Sequence, residues 1–172
     1  DMGNGRFLLE PLTFARMLQL AEITPACRVL CVGVLSGYAA AVLAWLASHI
    51  VATDIDADYI EQTRANLKKL NLTNIDAQRV KSMADGYALS APYDVILVNG
   101  AIDFVPEDLG SQLAINGRLV AVHRKSSRPG IKMGLGKLLT VKRINNQLQS
   151  REHFDCGAAL LPGFERDSTF QF

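Results

Sequence analysis

The sequence contains few of the residues that mark disulfide-rich or metal-binding proteins. Only three of its 172 residues are cysteine, at Cys27, Cys31 and Cys156. An odd number in no paired pattern does not predict a disulfide framework, and the absence of a Cys-x-x-Cys spacing leaves no zinc motif. We therefore expect no metal site, reduced thiols and a cytoplasmic location, with Cys31 acting as a small buried hydrophobic residue.

Net charge and long apolar runs are also lacking. The chain has 18 Lys and Arg residues against 17 Asp and Glu residues, a formal net charge of +1. This balance gives no electrostatic reason to expect a nucleic-acid partner. The basic stretch 123–128 (HRKSSR) is interpreted as a solvated loop. No apolar run approaches the roughly 20 residues that a membrane-spanning helix needs, so we expect no membrane partner.

What the sequence does contain is enough apolar residues for one folded core. Hydrophobic residues make up 49% of the chain and charged residues 20%. We expect a single domain over 1–172, with a lead-in and helix in 1–24, a core in 28–123 and a hairpin region in 130–172. Short apolar strands alternate with helical patterns, which predicts an α/β fold with a largely parallel sheet. The predicted strands are 28–33, 49–53, 74–80, 94–98, 118–123, 137–144 and 147–154, and the predicted helices are 11–22, 37–48, 56–71 and 105–113.

A glycine-containing turn follows the first strand. The apolar run ends at Gly33, and an alanine-rich helix begins near Gly37. This strand–turn–helix arrangement is typical of nucleotide-binding units, where backbone N–H groups and a helix N-terminus face the ligand. Asp54 ends the second strand, about 20 residues further on, where a carboxylate can accept hydrogen bonds from two ribose hydroxyls. The alternative interpretation of Asp54 is a helix cap or a loop acid, because Asp56 and Asp58 lie beside it.

Three segments at ordered spacings resemble the protein-L-isoaspartate O-methyltransferase family. Residues 29–38 (VLCVGVLSGY) are similar to its V-L-E-I-G-T-G-S-G-Y, and residues 86–94 (GYALSAPYD) match its G-[YW]-x-x-x-A-P-[YF]-D. Residues 106–120 are similar to its P…Q-L…G-G-R-L-V, and the resemblance runs from about Leu8 to the C-terminus. The resemblance implies a Rossmann-like S-adenosylmethionine (SAM) methyltransferase fold. Its seven-stranded, mostly parallel sheet would have helices on both faces and a C-terminal antiparallel hairpin.

The same resemblance implies an activity and a set of site residues. The family transfers a methyl group from SAM to the isoaspartyl carboxylate of damaged proteins, so SAM is the implied cofactor and an isoaspartyl protein the implied partner. The third strand of the parallel core, by resemblance, leads into the adenine side of the site, and Asn99-Gly100-Ala101 would shape the acceptor pocket. The alternative interpretation of Gly100 is a turn residue. The implied cofactor-binding residues are Gly33, Ser36, Gly37, Tyr38, Asp54, Ile55, Ser82, Met83 and Asn99.

The sequence departs from the family pattern in three segments. Cys31 replaces an acid of the first motif, and Leu35 replaces its central glycine. Lys81-Ser82-Met83 stands where the family has Gly-Asp-Gly, and Asp85 could substitute for that acid only after a three-residue shift of the loop. The family's functional serine is Leu9 here, so no catalytic residue is assigned.

Two alternatives to the isoaspartyl methyltransferase remain open at this stage. One is a catalytically silent methyltransferase-fold protein that acts as a binding module, and the other is a SAM methyltransferase with a different acceptor. Trp45 is interpreted as a core residue, and His123 and His153 as structural. The apolar tail 164–172 is expected to be exposed, and with residues 7–9 it would pack against residues that precede Asp1 or against a partner subunit. This predicts some self-association if the chain is a piece of a longer protein.

Overall fold

A seven-stranded sheet forms the centre of the molecule in a computed structural model that describes residues 2–3, 5–125 and 133–166. The strand order is β3-β2-β1-β4-β5-β6-β7; β1 to β5 pair in parallel, and β5–β6 and β6–β7 pair antiparallel. This arrangement confirms the predicted fold class. The strands are β1 Arg28–Val32, β2 His49–Asp54, β3 Ile75–Arg79, β4 Tyr93–Ile102, β5 Leu113–His123, β6 Met133–Ile144 and β7 Gln147–Ala159. The helices are α1 Pro11–Ala21, α2 Tyr38–Ala44, α3 Ala57–Lys69 and α4 Glu107–Ser111, with 3₁₀ helices at Met83–Asp85 and Ala88–Ser90.

The core lies on both faces of the sheet because side chains alternate along each strand. In β1, Val29 and Cys31 join one apolar cluster, while Leu30 and Val32 join the other. The first cluster contains residues of α1, α2 and α3, and the second contains residues of α4, the 3₁₀ helix Met83–Asp85 and Phe164. Burial on both faces explains why β1, β2 and β4 are almost continuously apolar.

Local signals determine where the long helices begin. Pro11 occupies the first position of α1, where its missing N–H costs no hydrogen bond. The Asp56 carboxylate caps α3 by accepting hydrogen bonds from the backbone N–H groups of Asp58 and Tyr59. Asp56 therefore takes the capping role, and Asp54 at the end of β2 is left for another one.

Several predicted bounds are wrong in length. Helix α2 ends at Ala44 instead of residue 48, and α4 covers only Glu107–Ser111 of the predicted 105–113. Strands β4 and β5 are longer than predicted: β4 continues through Asn99-Gly100-Ala101, and β5 begins at Leu113. The β4 extension pairs with the end of β5 at Val122 and His123, across a register shift between Leu97 and Ala101 that an alternating pattern does not reveal.

Three burial predictions are also wrong. Trp45, at the C-terminal end of α2, is 75% exposed and not a core residue. His123 ends β5 and Arg124 is buried, so the first part of the basic stretch is not a solvated loop; residues 126–128 lie outside the described residues. Phe164 is fully buried against the second cluster, so the described part of the apolar tail covers the sheet. Residues 167–172 of that tail lie outside the described residues.

Candidate functional site

The turn between β1 and α2 uses left-handed backbone at three positions. Gly33 has φ +81°, Leu35 +52° and Gly37 +89°. The Gly33 N–H donates to the Thr53 carbonyl at 2.8 Å, which ties the turn to the end of β2. A Cβ atom on Gly37 would lie 2.9 Å from Cγ2 of Thr63, so this position requires glycine for space as well as for φ.

Leu35, at the position of the family's central glycine, is fully buried. Its N–H donates to Oδ2 of Asp54 at 3.2 Å, and its carbonyl accepts from the Thr63 hydroxyl at 2.9 Å. Leucine rarely adopts a left-handed conformation, so these two hydrogen bonds and the buried side chain must hold it there. Leu35 therefore adopts a left-handed conformation at the position where the family pattern has glycine.

Asp54 is the most densely bonded side chain of the site. It lies at the end of β2 with no exposed surface. Its Oδ1 accepts from the backbone N–H groups of Ile55 at 2.9 Å and Asp56 at 3.3 Å, and its Oδ2 accepts from the Leu35 N–H. These three N–H groups stabilise a buried carboxylate between the glycine turn and the start of α3.

Arg6 completes the coordination of Asp54. Its guanidinium donates from Nη1 to Oδ1 at 3.0 Å and from Nη2 to Oδ2 at 3.1 Å, so the two side chains form a bidentate ion pair. Arg6 is only 4% exposed, and its Nε has no hydrogen-bond partner among the described residues. Sequence reasoning missed Arg6, because no local pattern links it to a carboxylate 48 residues away.

Leu161 covers the same turn from the other end of the chain. A Cβ atom on Gly33 would lie 3.1 Å from Leu161 Cδ1 and 3.2 Å from Arg6 Nη2, so both side chains pack directly on the Gly33 backbone. The Leu161 N–H donates to the Ala101 carbonyl at 2.9 Å, and its side chain lies over Gly100. Leu161 was not among the predicted site residues either.

The remaining predicted residues surround this closed centre at different depths. The Asn99 amide, in the second half of β4, donates to the Gly33 carbonyl at 2.9 Å. Tyr38 is exposed, and its ring centroid lies 5.7 Å from that of Phe14. Asn99 therefore belongs to the same cluster as Gly33 and Asp54, and Tyr38 faces outward.

The adenine side of the implied site lies after β3. Ser82 is half-buried and caps the 3₁₀ helix through the Ala84 N–H, and Met83 is fully buried in the second apolar cluster. Ile55 is half-buried and lines an open pocket with Arg79, Val80 and Lys81. Ile55 and Ser82 are therefore accessible, whereas the Met83 side chain serves the core.

The residues at the substituted motif positions are apolar or inert. Burial raises the pKa of the Cys31 thiol to about 12, with the nearby Asp54 charge adding to the shift, so this thiol stays protonated. Leu9 is half-buried and packs against the first apolar cluster. Neither side chain can act as an acid, base or nucleophile where the family has an acid and a serine.

In this conformation the site does not fit SAM. The donor and acceptor chemistry of a nucleoside site is present in Asp54 and the turn beside it. Both Asp54 oxygens are already bonded, however, and the carboxylate is sealed by Arg6, while Arg6 and Leu161 lie on Gly33. Ribose hydroxyls could reach Asp54 only if Arg6 moved.

Metal sites and membrane-spanning helices are both absent from the part of the chain that the structure describes. No group of three or more His, Cys, Asp or Glu side chains within 2–3, 5–125 and 133–166 is arranged to hold a metal ion. Among the same residues, no helix is both long enough and apolar enough to cross a membrane.

Comparison with known proteins gives a consistent set of relatives. Over 119 residues the chain is 40% identical to a protein-L-isoaspartate O-methyltransferase of Methanoregula boonei, covering 69% of this chain and 54% of the relative. It is 36% identical over 152 residues to one of Koribacter versatilis, covering 88% of this chain and 65% of the relative. The chain thus spans about half to two thirds of the length of these curated relatives.

Solved structures agree on the fold. A protein-L-isoaspartate O-methyltransferase structure superposes with a TM-score of 0.79 at 23% identity, covering 90% of this chain and 48% of that chain. A SAM-dependent O-methyltransferase of Thermotoga maritima superposes with a TM-score of 0.59 at 16% identity, covering 91% of this chain and 67% of that one. The Rossmann-like methyltransferase fold is therefore the fold of this chain.

The family model named protein-L-isoaspartate(D-aspartate) O-methyltransferase matches residues 1–133, which include the glycine turn, Asp54 and Asn99. These residues cover the whole parallel part of the sheet. The chain belongs to the protein-L-isoaspartate(D-aspartate) O-methyltransferase family.

Proposed function

We propose that this protein transfers a methyl group from SAM to the isoaspartyl carboxylate of damaged proteins. The observation that carries the proposal is the Asp54 carboxylate at the end of β2, beside the Gly33–Gly37 turn, in a chain of this family. Gly33, Ser36, Gly37, Tyr38, Asp54, Ile55, Ser82, Met83 and Asn99 are the residues proposed to surround the cofactor.

The acceptor side of the proposed site lies at the end of β4. Ligands of open α/β sheets bind beyond the carboxyl ends of the parallel strands, and Asn99 lies just past the end of the neighbouring strand β1, bonded to Gly33. Methyl transfer to a carboxylate depends mainly on holding the two reactants in line. A leucine at position 9 is compatible with this requirement, because the protein need not form a covalent bond to the substrate.

The partner and location follow from the same proposal. An isoaspartyl protein or peptide is the expected substrate. A cytoplasmic location is supported by three free cysteines, of which Cys31 and Cys156 are buried. Single-domain behaviour over 1–172 is also proposed, because β6 and β7 extend the same sheet as the parallel core.

The direct test is transfer of labelled methyl from SAM to an isoaspartyl peptide, with the aspartyl peptide of the same sequence as the acceptor control. We expect labelling of the isoaspartyl peptide alone. Asp54→Asn, with its folding checked by circular dichroism because Arg6 loses its buried partner, should lower the rate at least about tenfold, since an amide is a poorer acceptor for ribose hydroxyls. Asp58→Asn, on the exposed side of α3, is the matched control and should leave the rate unchanged.

Three outcomes separate the alternatives. Labelling of both peptides, or of neither while S-adenosylhomocysteine still binds, would contradict isoaspartyl specificity and favour another acceptor. Binding of neither SAM nor S-adenosylhomocysteine by the folded protein would favour the silent module.

A further inference from the structure

The interaction between Arg6 and Asp54 has the hydrogen-bond pattern of a bound ribose. A ribose diol would present two adjacent O–H donors to the two oxygens of the carboxylate. The Arg6 guanidinium presents two N–H donors to the same oxygens at 3.0 and 3.1 Å. The chain therefore supplies from its own N-terminal segment the donors that a nucleoside would otherwise bring.

We propose that Arg6 is an internal competitor of the cofactor, holding the Asp54 site closed until the Arg6 side chain is displaced. This inference rests on the proposed function, since it concerns the affinity of the same site for an adenosyl ligand. It makes Arg6 the residue that determines how tightly that ligand binds.

The described residues around Arg6 belong to no helix or strand. An isolated bridge joins Gly3 and Arg6, with the Arg6 N–H donating to the Gly3 carbonyl at 2.9 Å. The Tyr59 hydroxyl donates to the Met2 carbonyl at 2.9 Å, and the Tyr59 ring lies 5.8 Å from the Arg6 guanidinium carbon. Segments outside helices and strands open at lower free energy than the core strands of a sheet.

The closed packing is also imperfectly satisfied. The Arg6 Nε and the Thr53 hydroxyl are both buried, and neither has a hydrogen-bond partner among the described residues. A buried polar atom without a partner opposes closure, because it loses its hydrogen bonds to water. Opening the turn returns the Arg6 guanidinium to water, which lowers the net cost of displacement.

Asp54 can remain folded in place when Arg6 leaves. Its oxygens keep the backbone N–H groups of Leu35, Ile55 and Asp56. Leu161 is bonded to β4 through the Ala101 carbonyl and forms a turn with Phe164, whose carbonyl accepts from the Asp103 N–H. Arg6 is therefore the movable part of the cover, and Leu161 the anchored part.

The test is calorimetric titration of the whole chain with S-adenosylhomocysteine, comparing the wild type with Arg6→Ala and Arg6→Gln. We expect Arg6→Ala to bind at least about tenfold more tightly, since the apparent affinity no longer includes the closed population. Arg6→Gln, which keeps donors but loses the charge, should fall between the two. Arg151→Ala, exposed on the edge strand β7, is the matched control and should bind like the wild type.

Hydrogen exchange of the wild-type protein is a second measurement, and it does not depend on catalytic activity. Ligand should speed exchange of the Arg6 N–H while slowing exchange in the Gly33–Gly37 turn. If the wild type binds S-adenosylhomocysteine and both Arg6 variants bind it equally well or more weakly, Arg6 does not compete with the cofactor. The proposed function is unaffected by that result. If neither the wild type nor the folded variants bind S-adenosylhomocysteine, the proposed cofactor is wrong. The role of Arg6 as its competitor is then wrong as well.

Discussion

Leu35 and Gly37 show that two left-handed residues in one turn can have different requirements. Leu35 lies at φ +52° with its N–H and carbonyl both bonded. At Gly37 the left-handed backbone coincides with a Cβ direction blocked by Thr63. The motif's glycines are therefore not equivalent, and only the position that combines φ with a steric block excludes other residues.

Gly37→Ala should destabilise the protein by about 2 kcal/mol in the free energy of unfolding, measured by urea denaturation. The reason is the cost of left-handed alanine together with the 2.9 Å approach to Thr63 Cγ2.

Gly157→Ala is the matched control for that substitution. The nearest atom to a Cβ there is the Gly134 carbonyl oxygen at 4.0 Å, and Gly157 is not among the left-handed glycines. Its stability should stay the same or rise by up to about 0.5 kcal/mol. Equal losses in the two variants would contradict the steric argument.

At the scale of elements, helix α2 ends early because a side chain outside the helix donates hydrogen bonds to its last carbonyl and to one just beyond it. The Asn74 amide, just before β3, donates to the carbonyls of Ala44 at 2.9 Å and Ala47 at 3.1 Å. The Ser48 N–H is directed to the Cys27 carbonyl at 3.0 Å, which turns the chain into β2. An apolar run alone could not predict this end, because the cap comes from 27 to 30 residues away.

Asn74→Ala should lower the free energy of unfolding by about 1–2 kcal/mol, because the last carbonyl of α2 and the Ala47 carbonyl after it lose their donor. Thermal or urea unfolding measures the change. Thr73→Ala, at the exposed neighbouring residue, should stay within about 0.5 kcal/mol of the wild type. A similar loss for both would show that the loop, not the cap, determines stability.

At the scale of the whole molecule, the sequence predicted the architecture and the position of the principal carboxylate. Alternating strand and helix patterns were sufficient for the sheet, because burial on both faces makes parallel strands almost continuously apolar. The position of Asp54 followed from its place at the end of β2. The contact of Asp54 with Arg6 could not be predicted, because the residues around Arg6 have no sequence periodicity that indicates the direction of its side chain. The prediction that Trp45 is a core residue is wrong, because a side chain at the end of a helix can face either the core or the solvent.

Self-association remains a prediction, and the exposed apolar side chains of the N-terminal half give it a test. Leu12 is 71% and Trp45 75% exposed, on helices that cover the same face of the sheet. Sedimentation velocity over a range of concentrations should show a rising sedimentation coefficient, reduced in Trp45→Ser.

Leu89→Ser is the control for that experiment, because Leu89 is 88% exposed on a 3₁₀ helix elsewhere in the molecule. It should behave like the wild type. A coefficient independent of concentration would rule out self-association through these side chains.

The Arg6–Asp54 pair also constrains how the sequence can diverge. A descendant that lost the carboxylate at position 54 but kept the guanidinium would bury an uncompensated cation, at a cost of about 3–5 kcal/mol. Loss of Arg6 alone is milder, since three backbone N–H groups still hold Asp54. In lineages that retain this closed turn, substitution should therefore be ordered, with position 6 changing before or together with position 54.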